Sequence, residues 1–541
     1  SGKMINRILI ITLTLLWSNL ITAQPNFQWL QSNPVVASQF YFAKTLLASG
    51  SGTSFWHARL DTISSNNQQG GSYAIRRVDA SGTVFSQFQL GNKVDITEIE
   101  EIGGDVLVSG VFYDSLSING IFLDADTFSS GFINNVTFIA RLTATGNVVW
   151  YRNLTSYAPF GLNLFCMGIS PSGKVYYGSN QPGSGTRAIR LNGSTGFPTD
   201  SFVVAGAVNV SDIGFDNAGN LFIVGAAAGP QLWQIGSFAI NVPYSYAIYV
   251  AQVLPGNIVK WVRFTEDTTF PRPQLLVNGD GSSYVVGKLF APTQWDNISL
   301  GGAQWVNDFY LVRIDSAGFA VWARELALQQ PAITGDFNLS LGRNNALSEN
   351  QQVTLFGTVR GTVDFGNSVT TPAATSLQAH TVFVTFDSTG SPLWSKSVPS
   401  LQTATAPVDI RYQDSAWYST ITIGQTNSFS LDSLSINTTA AVNNVLSRLS
   451  NLSVVPTSVY ENNFIEALPY PNPATDEFFL PLVDMDRIEV MEANGKLISV
   501  TFLPTVDGAK VFVHQLAAGF YIGLAYDRDN KTKPFRFQVV R

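Results

Sequence analysis

At many places along the chain, alternating apolar and polar positions run into a short Asp/Ser/Gly turn and out again toward an aromatic residue. The clearest instance is FYLVRIDSAGFAVW, in which Phe309 to Ile314 alternates, Asp315-Ser316-Ala317-Gly318 turns and the return ends at Trp322. A period of two broken by such a turn predicts one β-hairpin. The pattern recurs at Tyr73–Phe85, Phe138–Trp150, Ile248–Trp261 and Val382–Trp394, and more weakly at Ala188–Phe197 and Val445–Val455. Copies stand about 50–75 residues apart, which predicts a repeat architecture.

Between the hairpins lies a second signature, a Gly-, Asp- or Asn-containing turn followed by an apolar strand. It appears at Gly103–Gly110, Pro171–Gly178, Asn217–Gly225, Gly279–Gly287, Asn350–Gly357 and Asp414–Ile421. An inner strand, a strand after the Gly and the two hairpin strands make four antiparallel strands per unit. Such a sheet, apolar on both faces, is stable in water only when neighbours stack on it, and stacking around an axis leaves only short edges. With the earlier segment Gln39–Ile63, the signatures make seven units over roughly 425 residues. The expected fold is all-β, a seven-bladed β-propeller over residues 24–452. Trp29 is expected to supply the aromatic anchor of the last unit, so that an N-terminal strand closes the ring. The units exceed compact blades in length, with insertions at Ser115–Asn135, Thr293–Asn307 and Thr362–His380. These loops are expected on one face, as a binding face or as tolerated surface drift.

The pattern changes after residue 452. A linker is expected over 453–468, then a small β-sandwich over 469–541 with strands at Glu477–Leu482, Arg487–Glu492, Leu497–Phe502, Lys510–Val513, Gly519–Tyr526 and Pro534–Val540.

Composition narrows the function classes. A 541-residue chain with 45 Gly, 37 Phe and only 31 Lys plus Arg suits β-structure. Its net charge of −7 and lack of a basic run argue against a nucleic-acid partner. The single cysteine, Cys166, lies in an apolar run and reads as a buried small hydrophobe. No stretch after the N-terminal segment is long and apolar enough to span a bilayer.

Two resemblances bear on the route of the chain. Met4, Arg7, the apolar Ile8–Trp17 and Leu20-Ile21-Thr22-Ala23 resemble a bacterial Sec signal peptide, residues 1–23, cleaved after Ala23 with no lipoprotein Cys. The C-terminal module resembles the type A sorting domain of the type IX secretion system of Bacteroidota. The matching residues are Tyr470-Pro471-Asn472-Pro473, Asn494-Gly495-Lys496, Leu516, and Gly519 with Tyr521. That resemblance implies recognition by the type IX translocon and delivery to the outer cell surface or medium. The repeats resemble a bacterial β-propeller family at Asp216-Asn217-Ala218-Gly219-Asn220, at Phe309, Arg313, Asp315, Gly318 and Trp322, and at Val363-Asp364-Phe365-Gly366, with Thr385 standing where that family has Lys. Asp114-Ser115-Leu116 and Asp432-Ser433-Leu434 resemble the O-glycosylation site of Bacteroidota.

His57, His380 and His514 form no metal-binding pair, and neither a G-x-S-x-G nor a phosphate loop occurs. The turn residues Asp79, Asp216, Asp315 and Asp387 read as hydrogen-bonding turn residues, with calcium as the alternative. Asp95, Glu98, Asp212 and Asp409 precede inner strands and are expected near the axial mouth, where carboxylates bind a ligand, perform glycoside chemistry or line a wet channel. Trp150, Trp261, Trp322 and Trp394 share one repeat position and read as packing between blades. Non-repeated Trp295, Trp305 and Trp417, with Phe128 and Phe132, are the aromatic candidates for a surface site. The expected function is a binding or adhesion module for a glycan or a surface protein without catalysis. A polysaccharide-active hydrolase or lyase and a structural scaffold remain as alternatives.

Overall fold

A computed structural model describes residues 25–35, 45–63, 71–113, 115–119, 121–124, 135–154, 163–181, 185–229, 231–266, 272–302, 307–326, 335–340, 342–371, 379–398, 405–424, 428–438, 442–450, 469–482, 485–492, 497–527 and 532–541. The expected signal segment 1–23 and expected linker 453–468, with Phe128, Phe132, Trp305, Asn494, Gly495 and Lys496, lie outside them. The described residues form strands and turns with no helix, so none is long and apolar enough to cross a membrane. The chain divides into two compact parts, Ser1–Val454 and Val455–Arg541.

In the larger part, the described strands group into seven antiparallel units of four. Unit 1 consists of Thr45–Ser49, Ser54–Ile63, Gly71–Asp79 and the first half of Val84–Ile102. Unit 2 takes the second half of that strand, then Asp105–Tyr113, Asn135–Leu142 and Val148–Asn153. Unit 3 is Asn163–Ile169, Val175–Gln181, Gly185–Leu191 and Pro198–Ala205. Unit 4 is Asp212–Phe215, Leu221–Ala228, Tyr246–Leu254 and Ile258–Glu266. Unit 5 is Gln274–Val277, Ser283–Leu289, Asp308–Ile314 and Ala320–Arg324. Unit 6 has a first strand split into Asp336–Leu339 and Asn345–Leu347, then Val353–Arg360, His380–Phe386 and Pro392–Val398. Unit 7 is Thr405–Gln413, Ala416–Gly424 and Val442–Ser450, with Asn26–Val35 paired antiparallel to Val442–Ser450 as its fourth strand. The first strands neighbour one another in order, and that of unit 7 lies beside that of unit 1, which closes a ring.

The seams between units follow from the hairpin pattern. Trp150 and Trp322 are buried, and each indole N–H donates to a carbonyl in the turn of the next unit, Gly193 at 2.8 Å and Ser388 at 3.0 Å. Trp29 of the N-terminal strand repeats the contact on Ala80 at 2.9 Å in unit 1. Gly318 has φ of 92° and lies so close to the Trp261 ring that a Cβ would fall 2.5 Å from it, so this turn position requires glycine on both counts.

Two of the expected insertion loops contain hairpins among their described residues, the third, Thr362–His380, carries a bridge between Asp364 and Thr370, and two further hairpins stand at the same place in units 4 and 7. Ser115–Ile118 with Ile121–Asp124, Leu232–Ile235 with Phe238–Asn241, Thr293–Trp295 with Ile298–Leu300 and Ser428–Leu431 with Leu434–Asn437 all fall between the second and third strands of a unit. Two of them extend the outer strand of the preceding unit, through Leu90 opposite Ile118 and Val204 opposite Ile235. They thereby thicken the rim.

In the smaller part, one sheet of Glu477–Leu480, Gly508–Phe512 and Thr501–Thr505 faces another of Leu497–Ser499, Met485–Glu492, Gly519–Asp527 and Thr532–Val539. Phe478, Leu480 and Val511 from the first share a core with Ile488, Val490, Ala525, Phe535 and Phe537 from the second.

Candidate functional site

The first strands bring one register position of each unit toward the ring axis. Glu98 stands opposite Ser109, Cys166 opposite Gly178, Asp212 opposite Val224, Gln274 opposite Val286 and Asp409 opposite Thr420, equivalent places in their ladders. Each side chain there is bonded to the backbone of the following unit. Glu98 Oε2 accepts the Met167 N–H at 2.6 Å, Asp212 Oδ2 the Leu275 N–H at 2.8 Å and Asp409 Oδ2 the Leu47 N–H at 2.8 Å. The Cys166 thiol donates to the Val210 carbonyl at 3.3 Å, and Gln274 Nε2 to the Gly342 carbonyl at 2.7 Å. Unit 6 makes the contact with the Ser340 hydroxyl, which donates to the Val408 carbonyl at 2.8 Å.

Two arginines complete the cluster. In unit 6 the chain leaves the ladder between Leu339 and Asn345, and this excursion carries Arg343 to within 3.8 Å of Asp212 Oδ1, two units away. From unit 7, Arg411 Nη2 reaches Glu100 Oε1 at 3.0 Å in unit 2, while its Nε donates to the Leu47 carbonyl at 2.9 Å. The two side chains thus tie units that are not neighbours in the ring.

Burial dominates the titration here. It pushes the Glu98 carboxyl up to about 8, with Arg343 opposing and Asp212 and Glu100 reinforcing. It raises Asp409 to about 6 against the pull of Arg411, the Leu47 N–H and Arg343, and it raises Asp212 against Arg343. Burial also works against the Arg343 charge, but Asp212, Glu100, Glu98 and Asp409 outweigh it and hold the guanidinium protonated. Near neutral pH Glu98 therefore keeps its proton while Asp409 has lost its own and Arg343 is charged.

Removing one partner of such a buried pair leaves the other unpaired. Arg343→Gln is therefore expected to cost about 3 kcal/mol of stability, and more at pH 8.5 than at pH 5.5, where protonation relieves the carboxylates. Urea denaturation at both pH values checks this; equal losses would show that Arg343 does not hold the cluster.

Of the four carboxylates expected at the axis, Glu98, Asp212 and Asp409 come together. Asp95 does not: it stands opposite Val111, three residues before Glu98 and farther from the turn, where the Tyr73 hydroxyl donates to it at 3.4 Å. The shared Asp-Ile of Asp95, Asp212 and Asp409 conceals this difference in distance from the turn. Arg343 and Arg411 escaped the sequence reading. Arg411 had a signal, because it stands where unit 4 has Gly214 after the same Asp-Ile.

The aromatic candidates need correction. Trp295 is 2 % exposed and packs on Tyr310 with ring centroids 6.0 Å apart, because its hairpin folds against the rim. Trp417 is likewise 2 % exposed, edge-on to Trp394 at 5.0 Å in the seam between units 6 and 7. Both are core residues and neither faces solvent.

The turn aspartates bond backbone. Asp79 Oδ1 accepts the N–H groups of Ser81 and Thr83 at 2.9 Å each; Asp315 and Asp387 repeat the arrangement, and Asp216 accepts from Asn220. Among the described residues, no group of three or more His, Cys, Asp or Glu side chains is arranged to hold a metal ion.

In the smaller part, Tyr470 exchanges both backbone hydrogen bonds with Phe479, and Asn472 Oδ1 accepts the Gln538 N–H at 2.8 Å. Pro471 and Pro473 are exposed beside them. Gly519 opens a strand opposite Val539. Tyr521 is buried, stacks on Phe537 at 5.4 Å and donates its hydroxyl to the Ala517 carbonyl at 2.8 Å.

No protein-family model and no curated protein matches the chain. Among solved structures, it is similar to PorZ, an essential bacterial surface component of the type-IX secretion system of Porphyromonas gingivalis, at 10 % identity and a TM-score of 0.29, covering 92 % of this chain and 70 % of that one. It is similar to the polysaccharide lyase Uly1 at 8 % identity and a TM-score of 0.38, covering 79 % and 92 %. A third similarity is to Drosophila Plexin A in complex with Semaphorin 1b, at 8 % identity and a TM-score of 0.34, covering 79 % and 87 %.

Proposed function

We propose that the chain is an exported binding module: a seven-bladed β-propeller that recognises a glycan or a protein at the cell surface or in the medium, without catalysis. The ring order of the first strands and closure by the N-terminal strand support the propeller reading. Export through Sec and the type IX translocon rests on the signal-like residues 1–23 and on the Tyr470–Pro473, Gly519 and Tyr521 motifs at the other end.

The observation that carries the non-catalytic reading is the engagement of the axial carboxylates. Glu98, Asp212 and Asp409 each accept a main-chain N–H from the next unit, and Arg343 and Arg411 pair with Asp212 and Glu100. A glycosidase needs an acid and a base free to face a sugar; these groups are committed to holding the ring.

One observation favours a polysaccharide-active enzyme instead. Glu98 keeps its proton to about pH 8 while Asp409 ionises near 6, and a divergence of this kind separates an acid from a base. The two readings part in one experiment, in which the full chain is screened against polysaccharide and surface-protein panels with binding and bond cleavage measured together. Saturable binding without cleavage is expected. Cleavage that disappears in Glu98→Gln would replace the binding reading with the enzymatic one, and neither binding nor cleavage would favour a surface scaffold.

A further inference from the structure

The seam that closes the ring differs from its counterparts. In four other units, the second and third strands pair two apolar residues at one register position: Val108 with Ala140, Ile223 with Ala251, Val285 with Val312 and Leu355 with Val384, all buried. Unit 1 places His57 opposite Arg76 there. Arg59 and Asp61 follow on the same strand face, and Phe55 on that face packs against Tyr418 of unit 7 at 4.2 Å. From the unit 7 side, Asn33 of the N-terminal strand meets the group and accepts a hydrogen bond from Arg76 Nη1.

His57 is 0 % exposed, and neither ring nitrogen has a protein partner. The Asn33 Nδ2 amide is likewise buried without one. Buried polar atoms in folded proteins are overwhelmingly hydrogen-bonded, so the two ring nitrogens of His57, opposite Arg76, and the amide of Asn33, bonded to Arg76, leave room in the hydrogen-bond accounting for a polar guest at this seam. The charge around them selects its sign. Arg59 and Arg76 contribute two guanidiniums against the single carboxylate of Asp61, which is held by Arg59 at 2.8 Å and by Gln89 at 2.8 Å. Burial, then Arg76 and Arg59, keep the His57 ring neutral, as expected of an imidazole in a dry, positive surrounding.

We propose that the seam between units 7 and 1 binds a small inorganic oxyanion, phosphate or sulfate, between Arg59 and Arg76, with His57 and the Asn33 side-chain amide completing its donors. Planar guanidiniums match such oxygens in paired hydrogen bonds. The negative charge also lets His57 take up one proton from solvent and donate in its turn. Because Asn33 lies on the N-terminal strand and the other donors on unit 1, the anion bolts the two ends of the ring together. This inference stands whether the protein binds a glycan or cleaves one.

The test uses the full chain labelled with 15N-histidine, whose three histidines leave few signals to assign. Inorganic phosphate or sulfate is titrated against chloride at matched ionic strength. The expected result is conversion of the His57 signal to imidazolium, with a saturable rise in the thermal midpoint of about 2–4 °C at concentrations far above Kd. Arg76→Gln is expected to abolish both. An unchanged His57 signal, or a midpoint that climbs with salt without saturating, overturns the proposal and leaves water as the guest. The NMR titration on unsubstituted protein decides the matter even where Arg76→Gln folds poorly.

Discussion

Removing the N-terminal strand Asn26–Val35 is expected to open the ring and to lower stability by about 5 kcal/mol or more, a large share of the total for a folded domain. Several losses add. Phe27, 5 % exposed, gives up its burial against Phe383, worth about 2–3 kcal/mol. Trp29 loses its bond to Ala80 and Gln31 its bond to Gly82, at about 1 kcal/mol each. The Phe27 N–H no longer caps Asp432, and Val442–Ser450 becomes an unpaired edge open to association. Urea denaturation is expected to show an earlier, broader transition, because units 1 and 7 would fray before the rest. A single transition at an unchanged midpoint would show that closure contributes nothing.

Acidification in chloride buffer is expected to destabilise the protein through His57. Burial and the neighbouring Arg76 and Arg59 hold its pKa at about 3, well below the usual 6.5. A histidine with a depressed folded pKa contributes its full stability above pH 6.5 and loses it as pH falls toward 3, because the unfolded chain takes up the proton first. At 1.36 kcal/mol per pH unit, the loss reaches about 3 kcal/mol by pH 4. His57→Val, which copies Val285 of unit 5, is expected to remove that acid slope. Glu98 acts with the opposite sign: its raised pKa contributes stability below about 4.5 that is lost as pH rises through about 8. Comparing the variant with the unsubstituted protein cancels the Glu98 contribution. Parallel stability curves from pH 7 to pH 4 would refute the assignment to His57.

Much of this architecture was legible because it is local. The hairpin at Phe309–Trp322 needs only an alternating run, an Asp that bonds its own turn and a Gly at positive φ, all of which are contiguous in sequence. Recurrence then assigned Trp150 and Trp322 to packing. Trp29 could be recognised as a clasp because it carries the same aromatic signal away from any hairpin. The inserted hairpins were less visible, since runs as short as Thr293–Trp295 barely exceed one period of alternation and become strands only against a neighbouring rim.

The axial cluster shows where reading by residue type stops. Glu98 shares the register of Asp212 and Asp409 because each stands at the same count from the turn that follows its strand, and a one-residue slip changes which side chain reaches the axis. Arg343 is aimed by an excursion that leaves the ladder, so no spacing rule predicts its partner two units away.

The sequence by itself determined the all-β class, the repeating hairpin, its turns and its packing tryptophans, since these depend on neighbours within a few residues. Only the tertiary structure decided which carboxylates meet at the axis, which arginines oppose them, that Trp295 and Trp417 are core, and that Arg76, the partner strand's neighbour of His57, meets Asn33 across the closing seam. Those outcomes depend on register and on contacts between residues far apart in the chain, which local pattern does not encode.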